Sequence, residues 1–117
     1  MDSKELATKI ALLLDSKKAQ NIKVLAIDEV SSLGDYFIIA GGTSTTQVQA
    51  LAGMVEEKLK EEGVAPTSIE GYRSAGWILL DYTDVIVHIF TTEARDYYDL
   101  DRLWSDAREE KIDYPTE

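Results

Sequence analysis

A chain of 117 residues, 44% of them hydrophobic, has the size of one domain and can bury a core without a disulfide or a metal. It has no cysteine, which excludes thiol catalysis, cysteine-ligated zinc and disulfides. The 22 acidic against 12 basic residues give a net charge of -10, which disfavours nucleic-acid backbones and anionic membrane surfaces and attracts basic protein partners.

From the N-terminus, Asp2 or Ser3 can cap a helix over 3–16 with an apolar stripe of Leu6, Ile10, Leu13 and Leu14. This segment carries acidic residues and lacks a basic start before an apolar block, so it does not read as a targeting peptide. Apolar runs such as Ile10–Leu14 are far shorter than the ~20 residues that cross a bilayer. A cytoplasmic location is expected. The β-branched, apolar run Ile22–Asp28 fits a strand, Ser31–Gly34 a turn, and Asp35–Gly42 a second strand with both faces covered. Ser44 and Gln47 have capping-box spacing at the start of a helix whose stripe is Val48, Leu51, Ala52, Val55 and Leu59 and which ends at Gly63. Pro66 opens a short strand over Thr67–Tyr72, followed by strands Trp77–Tyr82 and Val85–Phe90. Asp96–Ser105 reads as a short terminal helix that Leu100, Leu103 and Trp104 pin to the sheet. The domain is expected to span 1–107, with a polar tail over 108–117. The order α-β-β-α-β-β-β-α predicts an α+β domain, a mixed five-stranded sheet with flanking helices. The pattern leaves the strand order open.

The segment Gly71–Phe90 is the most informative. With Thr83-Asp84 as the loop, Leu80 faces Val87, Ile78 faces Ile89 and Tyr82 faces Val85, which makes one aliphatic face. The other face pairs Trp77 with Phe90, Leu79 with His88, and Asp81 with Ile86. Burying Asp81 there without a partner is costly. An open face would instead leave a tryptophan in an apolar patch, the composition of an interface anchor. A covering helix would make Trp77 ordinary core, and the pattern alone leans slightly that way.

Catalytic equipment is hard to find. His88 is the only histidine, so a two-histidine metal site is excluded, and no Ser/His/Asp spacing suggests a triad. Ala40–Ser44 joins a strand to a helix start, but it lacks both the lysine of a phosphate loop and the G-x-G-x-x-G spacing, so a tight turn with a capped helix is the better reading. A similar Gly-Ser turn precedes paired metal-binding aspartates in nucleotidyltransferases; no Asp-x-Asp follows it here, and Asp81 and Asp84 flank a turn in a poor geometry for a shared metal. No metal or cofactor is expected. A metal-dependent nucleotidyltransferase or nucleotide-binding protein is the alternative.

Several segments together resemble the iojap family. They are Ser31–Ala40, Gly42-Thr43-Ser44 with Gln47–Ala50, Ile69–Tyr72, Gly76–Tyr82, Asp84–Phe90, and Tyr98-Asp99-Leu100 through Leu103-Trp104. Thr83 stands where the family often has glycine. The resemblance implies a nucleotidyltransferase-like fold without an active site. It also implies a non-enzymatic role: binding the large ribosomal subunit through its fourteenth protein and sterically blocking the small subunit. With such a partner, the binding residues expected on the mixed face are Trp77, Leu79, Asp81 and His88, with Tyr72, Arg73, Tyr98 and Asp99 at the edge. Direct nucleic-acid specificity and membrane binding are not expected; the same apolar patch could also serve a homodimer, since family members can dimerise.

Overall fold

The computed structural model describes residues 1–115. Helix α1 (Ser3–Ser16) begins at Asp2, whose carboxylate accepts the Glu5 N–H at 2.8 Å, and buries Leu6, Ala7, Ile10, Ala11 and Leu14. Strands β1 (Gln20–Ala26) and β2 (Tyr36–Gly42) follow, then α2 (Thr45–Lys60), which buries the expected stripe. Ser44 caps α2 by accepting the Gln47 N–H at 3.1 Å. The reciprocal arm of the box falls one residue earlier than expected: the Gln47 side chain accepts from the backbone N–H of Thr43 at 2.6 Å and from its hydroxyl at 2.9 Å.

Strands β3 (Ser68–Glu70), β4 (Trp77–Asp81) and β5 (Val85–Thr91) lead into two short helices, α3 (Thr92–Tyr98) and α4 (Leu100–Leu103), and then β6 (Arg108–Glu110). The sheet has six strands in the order β3-β4-β5-β2-β1-β6, with β2 and β5 parallel and the other neighbours antiparallel. The expected mixed α+β architecture holds; the expected count of five strands is one short. The missed strand is β6, which pairs along Val24–Ala26 where a polar tail was expected. Ile112 and Tyr114 then pack against the main core. Thr116 and Glu117, the end of that expected tail, lie outside the described residues.

The hairpin register sorts the two faces as the alternation predicts: Trp77 opposite Phe90, Ile78 opposite Ile89, Leu79 opposite His88, Leu80 opposite Val87 and Asp81 opposite Ile86. The first face joins Ile78, Leu80, Val85, Val87 and Ile89 to Val24, Ile38 and Ala40 under α1 and α2. The second joins Leu25, Ile27, Phe37, Ile39 and Phe90 to Leu100, with Trp77, Ile86 and Trp104 partly buried against them.

The hairpin loop is strained at Thr83, a β-branched residue at φ 72°. Its N–H is bound by the Asp81 carboxylate at 2.7 Å and its hydroxyl lies 3.1 Å from that of Thr67, both at exposed positions. Glycine tolerates this conformation, so Thr83→Gly is expected to stabilise the domain by about 0.5–1 kcal/mol after loss of the exposed hydroxyl contact. Urea denaturation checks this; an unchanged or lower midpoint would show that the side-chain contact outweighs the strain.

Candidate partner-binding face

The site is built where the second face is incompletely roofed. Thr91 ends β5 and caps α3, its hydroxyl accepting the Ala94 N–H at 3.2 Å. Asp99 adopts the left-handed conformation at φ 51°, which breaks the expected single helix into α3 and α4 and redirects the chain across the sheet. Leu100 is buried and Trp104 meets Phe37 edge-on, with centroids 4.9 Å apart. Leu103 does not pin the helix as expected: it is 70% exposed. An ion pair does part of that work. Arg95 grips Asp101 with two hydrogen bonds of 3.0 and 3.1 Å, and Lys23 on β1 approaches the same carboxylate at 3.2 Å. The Arg95 hydrogen bonds hold the Asp101 carboxyl below the usual carboxylate range, with Lys23 adding to the effect.

This roof covers β5 and leaves much of β4 open. Phe90 and His88 are buried, whereas Trp77, Leu79, Asp81 and Ile86 remain half-buried. Trp77 stacks on Phe90 (centroids 5.0 Å, planes 29° apart) and lies 4.7 Å from the ring of Tyr98, which is 50% exposed. Its indole N–H donates to His88 Nδ1 at 3.1 Å. The imidazole is only 5% exposed, its Nε2 has no protein partner among the described residues, and burial pushes its pKa down to about 4. It is therefore neutral near pH 7, with its proton on Nε2 so that Nδ1 can accept.

The expected site residues thus divide. Trp77, Leu79 and Tyr98 come together on one accessible surface, beside a shallow depression lined by Glu70, Gly71, Trp77 and Leu79. His88 lies beneath that surface, so in this conformation Trp77 is accessible from outside and the imidazole is not. Asp81 is occupied in the turn by the Thr83 N–H, which explains how a carboxylate is tolerated at the margin of an apolar face. Tyr72 and Arg73 are exposed in the turn after β3. The Tyr72 carbonyl accepts from Gln49 at 2.9 Å and its hydroxyl lies beside Gly53, so this tyrosine leans toward α2 on the other side of the sheet. Asp99 is the pivot between α3 and α4 and lines a hollow with Gln20, Lys23 and Arg95. Ile86 was missed as a surface residue, although its pairing with Asp81 at the open end of the face marks it. Among the described residues, no three His, Asp or Glu side chains gather as a metal site, and no helix is long and apolar enough to cross a membrane.

A mixed sheet roofed unevenly, with a half-buried tryptophan at the edge of the roof, defines an α+β domain with an open apolar margin. The family model described as "Ribosomal silencing factor during starvation" matches residues 1–117. The chain is 37% identical to the ribosomal silencing factor RsfS of Bacillus subtilis over 97% of each chain. It is also 29% identical to the mouse protein named "Mitochondrial assembly of ribosomal large subunit protein 1" over 80% of this chain and 42% of that one. A crystal structure of a Chromobacterium violaceum protein superposes with a TM-score of 0.87 at 36% identity, covering 100% of this chain and 95% of the other. The chain belongs to the ribosomal silencing factor family, whose relatives include proteins named Iojap and whose description is regulatory, not enzymatic.

Proposed function

We propose that this protein binds the large ribosomal subunit through its fourteenth protein and, by occupying the surface that meets the small subunit, prevents subunit joining in the bacterial cytoplasm. The observation that carries this reading is Trp77, half-buried and braced by Phe90 and Tyr98 at the open edge of the second face. A rigid, partly exposed tryptophan beside Leu79 is the type of group that dominates binding energy in small interfaces. The charge of -10 favours approach to a basic ribosomal protein and opposes contact with the surrounding RNA. The large-subunit assembly role in the mouse relative's name supports the choice of subunit. Blocking requires no chemistry; a body bound at the joining surface suffices.

Purified protein added to coupled ribosomes is expected to shift their sedimentation toward free subunits, and unchanged profiles at saturating protein would refute the reading. Trp77→Ala is expected to weaken subunit binding by about 2 kcal/mol, on the order of 30-fold, with the fold retained. Loss of the native circular-dichroism spectrum in that variant would instead assign Trp77 to the core. A second copy of the chain docking on the same patch would compete with the ribosome, so above the dimer dissociation constant subunit occupancy would rise only as the square root of total protein.

A further inference from the structure

We propose that His88 is a positioning residue for Trp77, holding the indole so that only hydrocarbon is presented to the partner. The proposal rests on the large-subunit reading given above. His88 sits on β5 between Ile39 of β2 and Leu79 of β4, with Phe37 and Phe90 beside it, while the charged groups of this face, Asp81 and Lys23, are engaged elsewhere by the Thr83 N–H and by Asp101. The ring of Phe37 meets it edge-on, with centroids 4.8 Å apart. An imidazole in such a layer loses its hydration, and its Nε2 gains no partner among the described residues in exchange. A leucine or phenylalanine would fill the position without that penalty. What the imidazole supplies, and they cannot, is the acceptor that Nδ1 offers to the Trp77 N–H at 3.1 Å.

That bond adds something the stacking does not. Contacts with Phe90 and Tyr98 constrain the plane of the indole, but a ring turned about its broad terminal torsion stacks almost as well. The hydrogen bond selects the orientation in which Nε1, the only polar atom of the side chain, points inward. The exposed part of Trp77 is then all carbon. A docking partner need not strip water from an indole N–H or provide an acceptor for it, and the anchor is ordered before it binds.

The test uses the full-length protein and purified large ribosomal subunits. His88→Leu fills the space without an acceptor, whereas His88→Asn places Oδ1 near the former Nδ1. In the wild type, nitrogen-resolved NMR is expected to show a slowly exchanging, hydrogen-bonded Trp77 indole proton and an imidazole protonated on Nε2. In His88→Leu the indole proton should exchange freely and subunit affinity should fall about tenfold, the scale of one lost hydrogen bond. His88→Asn should recover most of both. Wild-type affinity in His88→Leu with a freed indole proton would overturn the proposal. So would an imidazole protonated on Nδ1 in the wild type, a result that stands even if His88→Leu does not fold. If wild type and variants alike fail to bind subunits, the large-subunit reading itself is wrong, and this proposal falls with it.

Discussion

Gly71→Ala is expected to destabilise the domain by about 3 kcal/mol, from roughly 1–2 kcal/mol for forcing a side chain into the left-handed region and a similar amount for relieving a clash. Gly71 has φ +78°, and a Cβ built on it would stand 2.1 Å from the carbonyl oxygen of Trp77 and 3.3 Å from the carbonyl carbon. Those atoms are backbone, so no side-chain rotation relieves the overlap. The turn beyond is fixed by the Ala75 N–H donating to the Gly71 carbonyl at 2.9 Å, and Ala75 is itself buried at φ 55°. The chain must therefore yield at β3 or at the start of β4, and the latter displaces Trp77. Urea unfolding should show a lower midpoint at unchanged slope. Subunit binding measured well below that midpoint should fall as well. A near-wild-type midpoint would mean that the turn adapts, and that Trp77 is held by its ring contacts and not by its backbone.

Much of this arrangement is legible in the sequence because it is local. Alternation on either side of Thr83-Asp84 sets the hairpin register, and with it the partners of Trp77, His88 and Asp81. Asp2 and Ser44 announce the two long helices because their side chains bind the first free N–H groups. What could not be read depends on distant parts of the chain. The parallel pairing of β2 with β5 joins segments separated by a whole helix, and nothing in either segment names the other. β6 is three charged residues, Arg-Glu-Glu; charge suits an exposed sheet edge but has no strand period. The extent of the roof over the second face was equally hidden. It follows from the left-handed Asp99 and the Arg95–Asp101 pair, which place Leu100 and Trp104 over the Phe37 side and leave β4 open. Hence the sequence pattern offered covered and open readings for one face, whereas the structure divides it: Phe90 and His88 belong to the core, Trp77 and Leu79 to the margin.

That division is expected to give His88 an acid-sensitive contribution to stability in a defined window. Burial lowers the His88 pKa from 6.5 to about 4 by desolvation of the charged form. Between those values the unfolded chain binds the proton and the folded one does not, so stability rises with pH. The His88 contribution is at its maximum above pH 6.5, falls as the pH drops toward 4, and levels off below. Over that interval the loss amounts to about 3 kcal/mol. Asp101, whose pKa is lowered by Arg95, contributes its loss at lower pH, below the ordinary carboxylate value of 3.8. The net charge of -10 acts in the opposite direction, since neutralising carboxylates on acidification relieves self-repulsion. The informative quantity is therefore the difference between wild type and His88→Leu, in which the repulsion cancels. Chemical denaturation at half-unit steps from pH 7 to 4 should show the wild type losing stability relative to the variant throughout that range. Parallel curves would mean that the imidazole takes up its proton without leaving the layer, and that water or a shift of Trp77 reaches it in the folded state.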